Sequence, residues 1–121
     1  MKKQIILPAL LAIVAACSSD KTKNSIEGTY VNSAKSEYSI ANDTLVIEAA
    51  ENNRFLIHRK TGIKLIRNGE IGREQYKQEE WHATYDEGSK TLTESKTGSV
   101  LTPLPEAKKL LVERSEFLKI N

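Results

Sequence analysis

His58 and His82 are the two side chains of this chain that titrate near neutral pH without help from their surroundings. A zinc site would need a third ligand at a recognisable spacing, and a catalytic one would also need an open coordination position. Glu79 and Glu80 lie next to His82, but no ligand spacing of that kind is present. Each histidine falls in a strand-like run, where a solvent-facing side chain is the expectation. The carboxylate pairs Glu79-Glu80 and Asp86-Glu87 are sequence neighbours, and neighbours on a strand point to opposite faces, so they do not flank a common substrate. The chain has no serine nucleophile elbow, no glycine-rich phosphate loop and no histidine-glutamate helix motif. The expectation is a protein that is not an enzyme, with no catalytic residue, metal ligand or cofactor.

Cys17 is the only cysteine. Lys2 and Lys3 precede an uncharged, mostly apolar run from Ile5 to Ala15, and Ala15 and Ala16 lead up to it, which is the layout of a secretory signal. A bilayer-spanning helix needs about 20 apolar residues; this run is shorter and contains Pro8. Val14-Ala15-Ala16-Cys17 resembles a bacterial lipobox. The resemblance implies cleavage between Ala16 and Cys17, a diacylglycerol thioether on Cys17, and acylation of the new amino terminus by a fatty acid such as palmitate. One acyl chain holds a protein only marginally, but each buried methylene adds about 0.8 kcal/mol, so three chains give lasting attachment. A catalytic Cys17 would need a base partner that a signal junction does not offer. Ser18 stands where aspartate would mark inner-membrane retention in the enterobacterial sorting rule, so the outer membrane is favoured. Cys17-Ser18-Ser19-Asp20-Lys21 partly resembles a surface-export signal, with Asp20 its one acidic residue, and the periplasmic and surface faces both stay open.

Without residues 1–16 the chain is about 105 residues long, enough for one small domain. The signal carries two of the 18 basic side chains and none of the 16 acidic ones, so the mature charge is balanced. That balance lacks the basic footprint of a nucleic-acid binder. With Cys17 acylated no disulfide or thiolate metal site remains, and stability must come from packing. Residues 17–25 read as lipid anchor and flexible tether, because SSDKTKNS is short-chained and polar.

Residues 26–121 read as a β domain. Strand-like runs occur at Ile26–Val31, Thr44–Glu48, Phe55–Lys60, Ile63–Arg67, Trp81–Tyr85, Thr91–Glu94, Val100–Thr102, Leu110–Glu113 and Phe117–Ile120. Turn residues punctuate them: Asn52-Asn53, Asn68-Gly69, Asp86–Lys90, Lys96–Ser99 and Pro103–Glu106. Asn68-Gly69 predicts a type I′ hairpin, which needs positive φ at both central residues; Asp86–Lys90 predicts a longer loop with Gly88 in the left-handed region. Gly72–Glu80 is polar and lacks a clear period, and reads as a loop or one helical turn. Strands spaced this way predict a small antiparallel β-barrel or sandwich, a meander of about eight short strands.

Two groups of side chains are candidates for binding. If residues 54–67 form a hairpin around Thr61-Gly62, Arg59, Lys60 and Lys64 crowd near one end; with Arg67 they offer a basic surface to an anionic partner or lipid headgroups, or else guard an exposed strand. Trp81 and Tyr85 share a face with Ala83, as core aromatics or as a stacking surface for a ligand.

The chain is similar to small single-domain Bacteroidetes lipoproteins of unknown function. The residues that carry this are VAACSSD at 14–20, Gly28-Thr29-Tyr30-Val31, Ser36-Glu37-Tyr38, Asp43–Ile47, His58–Gly62, Trp81–Asp86, Leu92-Thr93-Glu94 and Ser115-Glu116-Phe117. Gly28-Thr29-Tyr30 also resembles the Gly-x-Trp that opens the first strand of lipocalins, with tyrosine in place of tryptophan. The tether, the absence of catalytic groups and several strands offering edges or a face point to a lipid-anchored, noncatalytic envelope lipoprotein that binds a protein partner; the lipocalin resemblance implies instead a carrier of a small apolar ligand or lipid. Metabolic labelling with a palmitate analogue is expected to mark the wild-type chain. Cys17→Ala should remove the label and leave the precursor uncut, which intact mass measures directly.

Overall fold

The computed structural model describes residues 20–121; Ala16, Cys17 and the rest of the expected signal and lipidation site lie outside the described residues. The elements are a short helix α1 (Lys21–Asn24), then strands β1 (Gly28–Lys35), β2 (Ser39–Ala49), β3 (Arg54–Arg67), β4 (Glu70–Ile71), β5 (Gln75–Asp86), β6 (Thr91–Glu94), β7 (Val100–Leu104), β8 (Lys109–Val112) and β9 (Ser115–Lys119). Every pairing is antiparallel between neighbours along the chain, apart from the β3–β5 pair that skips the two-residue β4 and the β1–β9 pair that shuts the ring. The result is a closed eight-stranded antiparallel barrel with β4 as an extra strand on the end of β3. The expected all-β meander is therefore a barrel rather than a sandwich.

Alternation explains the interior. Tyr30, Leu45, Ile47, Phe55, Ile57, Ala83, Tyr85, Leu92, Leu101, Leu110 and Phe117 point inward from their strands, Ile26 plugs one end, and all twelve are 0–3 % exposed. Trp81 and Val112 pack against this core. Register does the sorting: Leu92 sits opposite both Tyr85 and Leu101, and Leu110 opposite Phe117. A one-residue slip would turn each of these side chains to solvent.

The turns follow local chemistry. Asn68 (φ 53°) and Gly69 (φ 78°) form the expected hairpin between Arg67 and Glu70. Asn52 (φ 54°) and Asn53 (φ 64°) make another between β2 and β3. In the Asp86–Lys90 loop the left-handed residue is Lys90 (φ 58°), not Gly88. The Asp86 carboxylate accepts from Ser89 N (3.0 Å) and Oγ (2.7 Å), so the side chain sets the loop and moves the left-handed position to its end.

Two further expectations are corrected. Residues 54–67 are one strand, not a hairpin at Thr61-Gly62: both residues are paired on each side, Thr61 with Asp43 and Lys77, Gly62 with Asn42 and Tyr76. Two flanking strands satisfy the backbone there, which leaves no reason to turn. Gln75–Glu80 belongs to β5, not to a loop, because eight successive residues from Gln75 to His82 pair with β3 despite their polarity. Within the segment read as tether, Lys21–Asn24 form one helical turn capped by Asp20, whose Oδ1 accepts from Lys23 N at 3.0 Å. Tyr85 Oη donates to Asp20 Oδ2 (3.2 Å) and Lys119 Nζ to the Ser25 carbonyl (2.7 Å), so the turn closes one end of the barrel.

Leu92→Ala removes an inward side chain with no exposure and should cost about 2–5 kcal/mol. Leu118→Ala, on the outer face at 53 % exposure, should change stability by less than about 0.5 kcal/mol in the same denaturant titration.

Candidate functional site

Strand length is uneven around the ring. β2, β3 and β5 run for 11, 14 and 12 residues, while β6 to β9 have four or five each. At the end away from α1 the long strands therefore outrun the short ones. Together with the second half of β1 they continue as a curved four-stranded wing. β5 meets β6 only over Ala83–Asp86, and β1 meets β9 only at Tyr30 and Val31. Both borders of the wing are thus edges without a strand neighbour among the described residues.

The base of the wing's inner face is polar. Arg59 donates to Asp43 from Nε (3.1 Å) and from an Nη (2.8 Å), and Thr61 Oγ1 donates to the same carboxylate. The guanidinium also lies 5.2 Å from the Trp81 ring centre. Burial pushes the Asp43 carboxyl up, but hydrogen bonds from Arg59 and Thr61 and the guanidinium charge outweigh it and hold the acid below its ordinary range. The same carboxylate holds the Arg59 proton more tightly, against the opposing effect of burial. At the neighbouring rim Glu94 turns its carboxylate under its own loop, accepting from Lys96 N (2.8 Å), Thr97 N (2.8 Å) and Thr97 Oγ1 (2.6 Å). Thr97's hydroxyl leads the effects that keep this acid ionised below its usual value, although burial opposes them.

Beyond that base the inner face turns apolar and exposed. Ile63 and Leu65 are 38 % and 39 % exposed there, while Ile71 on β4, at 59 %, sits opposite Ile66 on the outer side of the sheet. Leu65 and Ile71 share an open cleft of about 640 Å³ at the wing tip with Arg67, Arg73, Glu70 and Gln75. A second cleft of about 610 Å³ opens where the wing meets the barrel mouth, lined by Arg59, Glu79, Glu80, Trp81, Glu94 and Glu113 among others.

The sequence candidates are dispersed. Arg59 faces inward and is engaged by Asp43. Lys60 faces the outer side, 4.4 Å from the Tyr76 ring centre. Arg67 stands at the tip cleft. These three do not share one surface. Tyr85 is buried, with its hydroxyl on Asp20 and its pKa pushed up to about 12 by burial and by that carboxylate. Trp81 is half-buried against the core beneath Arg59. His58 lies on the outer face between Glu48 (2.7 Å) and Glu80 (3.6 Å), and His82 is 3.9 Å from Glu80. Among the described residues no group of three or more His, Cys, Asp and Glu side chains is placed to hold a metal ion. No described helix is long and apolar enough to cross a membrane.

Asp43, the exposed Ile63–Leu65 pair and the β5 edge escaped the sequence reading. A signal for Asp43 was present, since it shares the inward alternation of Leu45 and Ile47. Comparison with known proteins finds no family model that matches the chain, and no curated protein or solved structure that matches it.

The pH dependence has a definite sign. Asp43 has a lowered folded-state pKa against an ordinary value of 3.8, so its contribution is complete above that value and is lost as pH falls through the folded one. Asp43→Asn should cost about 1–3 kcal/mol at neutral pH. It should also flatten the acid limb of stability against pH, measured by denaturant unfolding at a series of pH values.

Proposed function

We propose that the protein is a lipid-anchored, noncatalytic envelope protein that binds another envelope protein through the inner face of its wing. The observation that carries this reading is the exposed apolar pair Ile63 and Leu65 on that inner face, with Arg67, Arg73 and Glu70 around the cleft at Leu65 and Lys77 on the neighbouring strand. Apolar residues on an open face with charges around them are the usual make-up of a protein contact. The basic border favours a partner segment that combines apolar and acidic side chains. Membrane attachment enters through Cys17 and its lipobox-like setting, with the outer membrane the favoured location. The filled barrel supports binding on the wing over carriage inside the barrel, because a ligand-binding cavity needs about 300 Å³ or more, whereas the twelve core side chains are 0–3 % exposed and leave no such space among them.

Ile63→Asp with Leu65→Asp should leave thermal unfolding within a few degrees of wild type, since neither side chain is buried. The same double substitution should deplete at least one protein that co-purifies stoichiometrically with the wild-type chain from its own envelope. Arg67→Glu should weaken that association several-fold, and more at low salt than at high salt. Retention of every co-purifying protein by both variants would end the reading.

A further inference from the structure

From Gln75 to Trp81 strand β5 is paired on one side only among the described residues. Its free backbone groups have a definite polarity. The His82 carbonyl accepts from Ser95 N (2.8 Å), on the side of β6. Antiparallel ladders alternate the direction of successive residues, so the N–H and C=O groups of Tyr76, Gln78 and Glu80 point out of the edge while those of Lys77 and Glu79 are spent on β3.

We propose that two copies of this chain pair through this edge, β5 against β5 in antiparallel register about a two-fold axis at Gln78. Only outward-pointing residues can exchange hydrogen bonds, so even numbers must face even numbers, and the axis must pass through a residue. An axis at Lys77 or Glu79 would set like charges directly opposite one another, which is destabilising. An axis at Gln78 instead sets Lys77 opposite Glu79 twice, with Tyr76 opposite Glu80 in the hydrogen-bonded pairs. The inner side of the edge also opens into the cleft where Glu79 and Glu113 stand with Arg59 and Lys96, and the Lys77 side chain of the second copy reaches Glu79 there. Inward-pointing charges usually protect an edge against pairing. Here the two signs are spaced so that this one register neutralises them, while Lys77 and Glu79 of a single chain stay 4.0 Å apart, with Lys77 largely exposed and Glu79 about one-third exposed.

The axis stands normal to the wing sheet, so the two chain starts at Asp20 lie at opposite ends of the dimer and at equal height above a membrane perpendicular to that axis. Both anchors can reach one bilayer. A ladder of about five residues is a weak contact in free solution, and confinement of both copies to a membrane raises their effective concentration.

The test is carried out on the full chain expressed in its native envelope. Gln78→Cys places two cysteines opposite one another with Cα atoms about 5.5 Å apart, within disulfide reach. Mild oxidation should convert most of it to a covalent dimer, whereas Tyr38→Cys, also on the surface at 73 % exposure, should cross-link at least tenfold less. Adding Lys77→Glu or Glu79→Lys to Gln78→Cys should each abolish the cross-link, and the double exchange should restore it. Co-expression of the two single reversals under different tags should give the mixed dimer alone, since each then meets its opposite charge. Ile63→Asp should leave the cross-link intact, which separates this contact from the wing-face reading. A Gln78→Cys yield no higher than that of Tyr38→Cys would overturn the dimer. A cross-link indifferent to the charge reversals would overturn this register.

Discussion

A β-sheet can close only along the length that all its strands share. Here that length is set by β6 to β9, with four or five residues each, and the seam between β1 and β9 amounts to two residue pairs with flanking hydrogen bonds to Thr29. Within it the inward side chains meet from all sides and exclude water. Beyond it β2, β3 and β5 still pair with one another but have nothing opposite them. The molecule thus has a sealed half and an open half made from the same strands. Core, wing, free edges and clefts all follow from the mismatch in strand length.

The border between the halves must be polar yet satisfied. Asp43, Arg59, Thr61 and Trp81 occupy it, and Glu94 folds its carboxylate under a neighbouring turn. No buried side-chain nitrogen or oxygen among the described residues lacks a partner. Replacing a desolvated ion pair with apolar residues is often neutral for stability. What this pair supplies is a plug whose hydrogen bonds are internally complete, so the barrel ends without exposing its core. The other end is closed differently, by Ile26, the capped turn α1 and the hydroxyls of Tyr30 and Tyr85, each held by a backbone or carboxylate oxygen.

The wing's exposed surfaces all belong to the open half. The barrel has no interior to offer, and its outer face carries mixed charges such as the Glu48–His58–Glu80 row. The wing combines an apolar strip with two backbone edges, which suits protein contact by face and by strand addition. A face and an edge are separate surfaces, and a partner on one leaves the other free.

Much of the barrel could be read in advance because its cause is local. Alternation at Leu45–Ile47, Phe55–Ile57 and Ala83–Tyr85 fixes which face is buried, and Asn68-Gly69 marks its turn by the positive φ that asparagine and glycine tolerate. The wing was not legible, because a strand there is a property of its neighbours. Gln75–Glu80 has the composition of a loop and becomes a strand because β3 lies beside it, and Thr61-Gly62 looks like a turn until β2 and β5 pair across it. The basic residues show the same division. Arg59, Lys60 and Arg67 are close in sequence, yet an ion pair, an aromatic ring and a strand tip hold them apart, since adjacent residues on a strand face opposite ways. The order of residues by itself determined an all-β chain, the Asn68-Gly69 turn and the alternation that fills the core; where the sheet closes and what it leaves uncovered depended on which strands found partners.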